Sequence, residues 1–122
     1  MDKFPADLQN PKIPPKVEAR KTYSVAEITR AIKSSLETQF SGVWVEGEIT
    51  DFKHHTSGHM YFRIKDEGAV MDAVMFRGAN SILRFKPKDG TQVLLFGKVS
   101  VYEKRGQYQM YVERMEPKGV GA

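Results

Sequence analysis

The chain has 122 residues, of which 40% are hydrophobic and 28% are charged, with no cysteine and a net charge of +4. This indicates one globular domain and excludes disulfide scaffolds, cysteine-based zinc sites and cysteine nucleophiles, while the modest positive charge permits a polyanionic partner without deciding it. No apolar run could span a bilayer and the N-terminus lacks a secretory signal, so we expect a cytoplasmic protein with no membrane partner.

Residues 1–22 have the composition of a leader rather than of a folded element. Pro5, Pro11 and the pair Pro14-Pro15 prevent a regular helix, so we expect this proline-containing leader to be poorly ordered. A basic arm that touches a ligand is the alternative interpretation.

A helix is predicted to begin at Ser24. Ser24 and Glu27 have the spacing of a capping box, in which each side chain bonds a free backbone amide near the other residue. The apolar positions that follow at helical spacing are Val25, Ile28, Ile32 and Leu36. This stripe predicts a packing face, and Gly42 ends the segment.

From residue 43 onward the hydrophobic period becomes that of a β-strand. The predicted strands begin at Val43, His59, Ala69, Thr91 and Gln107, and the last four end at Asp66, Phe76, Tyr102 and about Glu116. The predicted turns are Lys53–Gly58, Glu67-Gly68, Pro87–Gly90 and Lys104–Gly106. A short helix is predicted over Gly78–Phe85, and Gly47 within the first strand predicts a bulge or a sharp coil.

Five strands with a helix between the third and the fourth follow the order of an OB-fold barrel. We therefore predict an all-β fold with flanking helices over residues 23–117, in which a five-stranded OB-fold barrel carries an additional N-terminal helix. Another small five-stranded barrel, such as an SH3-like one, is the alternative. The helix between strands three and four favours the OB arrangement.

In an OB barrel the binding surface lies on strands two and three, between the loops that join strands one–two and four–five. The cationic, aromatic and polar residues predicted there are Lys53, His54, His55, His59, Tyr61, Arg63, Lys65, Phe76, Arg77, Lys104, Arg105, Gln107 and Tyr108. Cations can follow phosphates, and rings can stack on unpaired bases of any sequence. The pattern predicts a groove for single-stranded nucleic acid with little base specificity.

These positions also have purely structural interpretations. Phe76 and Tyr61 could belong to the core, and Trp44 is predicted to cover the barrel end against the helix. Arg63 and Lys65 could pair with glutamates on the neighbouring strand, although exposed pairs contribute only ~0–1 kcal/mol. The acidic residues that argue against a strongly basic groove are Glu46, Glu48, Asp51 and Asp72.

Catalysis within this chain is not predicted. His54, His55 and His59 match no strong metal-ligand spacing, and nothing places a nucleophile or a phosphate-gripping loop beside Glu46 and Glu48. The sequence also contains no G-x-S-x-G, Walker or G-x-G-x-x-G motif. We therefore expect no catalytic residue, metal site or cofactor in this segment.

Several segments of the chain occur in an order that is typical of one family. They are Tyr23–Ile28, Val43–Ile49, Ser57–Phe62 with Ile64–Asp66, Val74–Arg77, Val99–Glu103 with Arg105-Gly106, and Met115–Pro117. Together they resemble the N-terminal OB domain of the exonuclease VII large subunit, over about residues 22 to 122. The segments W-V-E-G-E-I and S-G-H-x-Y-F-x-I-K-D are specific in combination.

The resemblance implies that this chain is the DNA-binding part of a longer enzyme. In that family the enzyme degrades single-stranded DNA from both ends into oligonucleotides, and the large subunit assembles with several copies of a small helical subunit. The resemblance further implies that a later domain carries the hydrolysis, so that residues 118–122 begin a linker to that absent domain. By the match, Phe76 and Arg77 lie on the DNA-binding surface.

Two other functions stay open from the residues themselves. The first is an RNA-binding module of the anticodon-recognising type, which would use the 2′-hydroxyl and specific base edges. The second is an assembly module whose barrel binds a protein, and whose DNA binding would show little salt dependence.

Overall fold

The structure is a computed structural model and describes residues 20–119. Its elements in chain order are helix α1 (Val25–Gln39), strands β1 (Val43–His54), β2 (Met60–Lys65) and β3 (Val70–Met75), the short helix α2 (Arg77–Asn80), and strands β4 (Gln92–Tyr102) and β5 (Gln107–Pro117). Residues 1–19 of the predicted leader and residues 120–122 of the predicted linker lie outside the described range.

The five strands close into one barrel in the order β1-β2-β3-β5-β4. β1 pairs in antiparallel fashion with both β2 and β4, whereas β3 and β5 close the barrel as a parallel pair. Helix α1 precedes the barrel, and α2 lies between β3 and β4. The predicted OB-fold architecture is therefore confirmed.

The interior of the barrel is filled by apolar side chains. The buried core residues are Ile49, Met60, Phe62, Ile64, Ala73, Met75, Val93, Leu95, Met110, Val112 and Met115. On β2, buried and exposed residues alternate without exception from Met60 to Lys65. The predicted inward and outward faces of this strand are thus confirmed, and its outward side chains are available to a ligand.

β1 is longer than predicted. It continues to His54, so that Lys53 and His54 belong to the strand and not to the turn predicted over residues 53–58. The register with β2 shifts between Thr50 and Lys53, where Asp51 has a φ of +53°. This irregularity absorbs extra residues, which lets the strand continue past the point where its alternation breaks.

Gly47 does not form the predicted irregularity. Residues 43–48 pair with β4 in an unbroken register. A Cβ atom at Gly47 would lie 2.8 Å from the Ile64 side chain and 2.8 Å from the Lys65 carbonyl oxygen. The glycine is required here because β2 approaches closely, and not because the strand bulges.

Helix α2 is a single turn and ends before the predicted Phe85. Leu83 and Phe85 both pack against the core although they are only two residues apart. An extended segment can place such a pair on one side, whereas a helix cannot. Ile82, between them, is 75% exposed. The residues after Asn80 therefore follow the barrel as an irregular segment.

The predicted capping box of α1 is confirmed, but its predicted packing face is not. The Ser24 hydroxyl accepts from the Glu27 amide at 3.0 Å, and the Glu27 carboxylate accepts from the Ser24 amide at 2.8 Å. No residue of α1 is buried, and Val25 and Ile32 are 82% and 49% exposed. The apolar stripe therefore lies largely open within the described part of the chain.

Polar contacts hold α1 against β4. The buried Ser100 hydroxyl donates to the Glu37 carboxylate at 2.5 Å, which lowers the pKa of that carboxyl. The Val99 amide donates to the Phe40 carbonyl oxygen at 2.9 Å. These bonds fix the C-terminal end of α1 to the barrel wall.

Candidate nucleic-acid interface

Four ring side chains form a continuous surface on the outside of the barrel, which we call the aromatic track: Tyr61, His59, Phe76 and Tyr111. The His59 ring meets Tyr61 and Phe76 edge-on, with centroid separations of 6.5 Å and 5.1 Å. Phe76 and Tyr111 are stacked at 5.9 Å with an interplanar angle of 27°. Tyr61 and Phe76 are 44% and 46% exposed, which rules out the interpretation that they are core residues.

A groove of about 430 Å³ lies beside the track. Its floor includes Val74, which is only 4% exposed although it alternates with core residues on β3. Strand pairing explains this burial, because Val74 lies between Tyr61 on β2 and Tyr111 on β5. Tyr102, Gln109 and the acidic Asp72 also line the groove. Because the floor is apolar and the walls carry aromatic rings, the groove is suited to the stacking of bases.

Tyr111, Tyr102 and Gln109 were not predicted as site residues. The signal was present in β5, where Gln109 and Tyr111 alternate with the buried Met110 and Val112. Strand alternation cannot tell that this face of β5 adjoins β3, because that contact depends on how the barrel closes.

The loop between β1 and β2 is fastened to helix α2 beneath the track. The buried Asn80 side chain donates to the Gly58 carbonyl oxygen at 2.8 Å and to the Met75 carbonyl oxygen at 3.0 Å. The Arg77 amide donates to His59 Nδ1 at 3.0 Å. The loop, the end of β3 and α2 are thereby joined, so the rings of the track are held in place before any ligand binds.

His55 extends the track at its Tyr61 end. Its ring lies edge-on to Tyr61 at 6.3 Å, and its Nδ1 accepts from the Ser57 amide at 3.0 Å. Because Nδ1 is an acceptor, the ring proton of the neutral imidazole is on Nε2, which is then a hydrogen-bond donor. His55 therefore offers a donor beside the first ring of the track.

Arg63 pairs with different acids from those predicted. Its guanidinium lies 3.2 Å from Asp72 and 3.4 Å from Asp51, whereas Glu46 pairs with Lys118 at 2.7 Å. Asp72 is directly opposite Arg63 on β3, and the irregularity in β1 brings Asp51 to the same place. Exposed pairs of this kind contribute only ~0–1 kcal/mol, so a phosphate can compete for Arg63.

The other predicted cations carry no such partner. Within residues 20–119, no ion pair involves Lys53, Lys65, Arg77 or Arg105. Lys53 is paired with Tyr61 across β1 and β2, Arg77 begins α2 beside the track, and Arg105 lies in the β4–β5 hairpin. Three free cations therefore lie on elements that flank the rings.

Lys65 and Tyr108 lie away from the groove. Both line a separate depression at residues 45–46, 64–66 and 69–71. On β5 the alternation that directs Gln109 and Tyr111 toward the groove directs Tyr108 elsewhere, and its ring is 52% exposed. The structure thus separates these two predicted residues from the aromatic track.

The described part of the chain contains no group of three or more His, Asp or Glu side chains arranged to hold a metal ion. His54 and His55 instead form hydrogen bonds with residues of the β1–β2 loop, and His59 accepts from a backbone amide. No helix within residues 20–119 combines the length and the apolar character that crossing a membrane requires.

Residues 23–116 match the family model described as an OB-fold nucleic acid binding domain. The chain is 52% identical over 102 residues to the exodeoxyribonuclease 7 large subunit of Shouchella clausii and 51% identical over 100 residues to that of Halalkalibacterium halodurans. These matches cover 82% and 80% of this chain but 22% of each relative, so the chain spans about a fifth of their length. They confirm the resemblance carried by the sequence segments.

Among solved structures, the fold is similar to a chain from a replication protein A heterotrimer bound to single-stranded DNA. The TM-score is 0.52 and the sequence identity 8%, over 63% of this chain and 57% of the other. At this identity the likeness supports the barrel fold alone.

Proposed function

Because the chain belongs to the family of OB-fold nucleic acid binding domains, we propose that it binds single-stranded DNA along the aromatic track. The observation that carries this proposal is the half-exposed, preassembled row of rings with unpaired cations on the flanking elements. Stacking of bases on rings contributes ~1–3 kcal/mol per base and tolerates any sequence. The site is therefore suited to unpaired strands of varied sequence.

Each side of the groove has a distinct role in this proposal. Bases stack on Phe76, Tyr61 and His59, while Lys53, Arg77 and Arg105 contact the phosphates. Arg63 joins them when a phosphate displaces one of its two carboxylate partners. Lys65 and Tyr108 take no part, because they line a different depression.

We further propose that the domain holds the strand for a nuclease elsewhere in a longer cytoplasmic protein. Relatives that are about half identical are named exodeoxyribonuclease 7 large subunits, and this chain corresponds to 22% of their length. The name "large subunit" supports assembly with a small subunit through other parts of the protein. Hydrolysis of the DNA to oligonucleotides, and any cofactor it requires, belongs to those other parts.

The proposal is tested by titrating a fluorescent single-stranded DNA with the wild-type chain and with Phe76→Ala. We expect Phe76→Ala to weaken binding by roughly 5- to 150-fold, the equivalent of ~1–3 kcal/mol, with an unchanged circular dichroism spectrum. Tyr108→Ala is the matched control, because it removes a comparably exposed ring outside the groove. Its affinity should equal that of the wild type.

Three results would contradict the proposal. Equal losses for Phe76→Ala and Tyr108→Ala would mean that the track is not the site. Stronger binding of a matched RNA than of DNA would favour an RNA-binding module. Binding that does not weaken between about 50 and about 200 mM salt would exclude phosphate contacts and favour a protein-assembly module.

A further inference from the structure

The structure contains a second groove, between helix α1 and the barrel, that begins where the aromatic track ends. We propose that this groove continues the DNA path and that Lys98 binds a phosphate of the strand beyond Phe76. This inference rests on the proposed function, because it extends the path of the same single-stranded DNA.

The two grooves share part of their walls. The second groove has a volume of about 400 Å³, within the range of about 300–1,000 Å³ typical of ligand sites. Phe76 and Tyr111 line both grooves and are stacked on each other. A strand that stacks on Phe76 therefore reaches the second groove over Tyr111 without crossing a gap.

Lys98 gives the second groove a cation beside its ring. Lys98 and Tyr111 are opposite each other on β4 and β5, and the Lys98 Nζ atom lies 5.9 Å from the centre of the Tyr111 ring. A base on Tyr111 would place its own phosphate near this ammonium group. A ring for the base beside a cation for the phosphate is the combination by which proteins hold single strands.

Lys98 is held less tightly than the neighbouring Lys33, which makes it the better cation for this contact. The Lys33 ammonium donates to Glu103 at 3.1 Å, a bond that raises the pKa of Lys33. Lys98 lies 3.8 Å from Glu37, whose carboxylate already accepts from Ser100 at 2.5 Å. Lys98 can exchange this loose contact for a phosphate at little cost, and Glu37 keeps its hydrogen bond.

Neutralising an acid of the second groove should change DNA affinity in the opposite direction to removal of Lys98. Glu37 and Glu113 both line it and repel a phosphate. In Glu37→Gln the amide oxygen can still accept from the Ser100 hydroxyl, so α1 stays attached while the negative charge is removed. If the strand passes here, this substitution strengthens DNA binding. If Lys98 and Glu37 only fasten the helix, it does not.

The experiment measures the affinity of the full chain for a fluorescent oligodeoxythymidylate longer than the OB-fold site size of about 4–16 nucleotides, across a salt series. We expect Lys98→Ala to weaken binding about fivefold to tenfold near 0.1 M salt and to reduce the salt slope by about 1. Glu37→Gln should strengthen binding about twofold. Lys118→Ala is the control, because Lys118 is also half-exposed and paired with one glutamate. Lys118 follows β5, and its amide donates to the Gln92 carbonyl oxygen at the start of β4.

The inference is overturned if Lys98→Ala has the same affinity and salt slope as Lys118→Ala, or if Glu37→Gln does not strengthen binding. Failure of the proposed function gives a different result, in which the wild type does not bind the oligonucleotide or Phe76→Ala binds as well as the wild type. Loss of binding in Phe76→Ala together with wild-type behaviour of Lys98→Ala would overturn this inference alone.

Discussion

Each of the two helices is attached to the barrel by hydrogen bonds from a buried side-chain donor, but that donor lies on the helix in one case and on the strand in the other. At α2 the buried polar group belongs to the helix, since Asn80 donates to two backbone carbonyl oxygens and is 7% exposed. At α1 the buried group belongs to the strand, since Ser100 donates outward to the carboxylate of Glu37.

The two attachments should therefore differ in their sensitivity to salt and pH. The Asn80 bonds join uncharged groups, so salt and pH have little influence on them. The α1 attachment ends on a charged group near solvent and depends on the ionisation of that group. The rigid attachment supports the rings of the aromatic track, whereas the adjustable one forms a wall of the second groove.

Asn80→Ala is expected to have the largest effect on either attachment. The substitution removes the Asn80 donor from both carbonyl oxygens. Gly58 keeps His54 Nε2 at 3.2 Å, so the loss falls on Met75, and a buried unsatisfied group costs about 1–3 kcal/mol. We expect the free energy of unfolding, measured by urea denaturation, to fall by about 1–3 kcal/mol. DNA affinity measured under conditions where the variant is fully folded should also fall, because the loop that carries His59 is released.

A double-mutant cycle separates this positioning role from a general loss of stability. If Asn80 acts through the rings, Asn80→Ala combined with Phe76→Ala should bind DNA about as well as Phe76→Ala alone. Fully additive losses in affinity would show that Asn80 does not act through Phe76.

A smaller effect is expected for Ser100→Ala, and it should depend on pH. The Ser100 hydrogen bond holds the pKa of Glu37 below its ordinary value of 4.5, so the bond stabilises the fold above pH 4.5. This contribution is lost as the pH falls through the lowered pKa, because the carboxyl becomes protonated in the folded state. The difference in unfolding free energy between wild type and Ser100→Ala should therefore shrink on acidification below pH 4.5.

Asn80→Ala is the comparison variant for that titration. Its loss of stability should stay nearly constant over the same pH range, because no ionisable group takes part in the Asn80 bonds. A Ser100→Ala difference that does not change with pH would contradict the distinction drawn between the two attachments.

The smallest effect is expected at the N-terminal end of α1. Val25 is 82% exposed, so Val25→Gln removes little buried apolar surface. We expect a change of less than about 0.5 kcal/mol in the free energy of unfolding of this chain, as for other exposed positions. A loss of several times that amount in thermal or urea unfolding would mean that the apolar stripe is packed in solution.

Local sequence signals predicted the elements whose cause is local. The capping box at Ser24, the alternation along β2 and the tight hairpin at Gly106, with a φ of +61°, all occur as predicted. The residues alone leave Phe76 open between the core and the groove, whereas the family resemblance implies a surface position, and its 46% exposure agrees with the resemblance. Patterns within a few residues are sufficient for such features, because the bonds involved span a few residues.

Features that depend on residues distant in sequence are not predicted correctly from local patterns. Arg63 pairs with Asp51 and Asp72 because of a strand irregularity and a cross-strand register. The apolar stripe of α1 predicted a buried face, yet periodicity does not show whether a partner surface is present. Tyr108 was placed in the site from its position near a hairpin, although strand alternation directs it away.

Four features follow from spacing along the chain alone: the number of strands, the inward and outward faces of β2, the start of α1 and the family resemblance. Which rings meet, in contrast, depends on the three-dimensional fold. Tyr111 follows Phe76 by 35 positions and stacks on it because β5 closes the barrel beside β3. Closure of the whole sheet sets which strands become neighbours, and the residue pattern of a single strand does not show this.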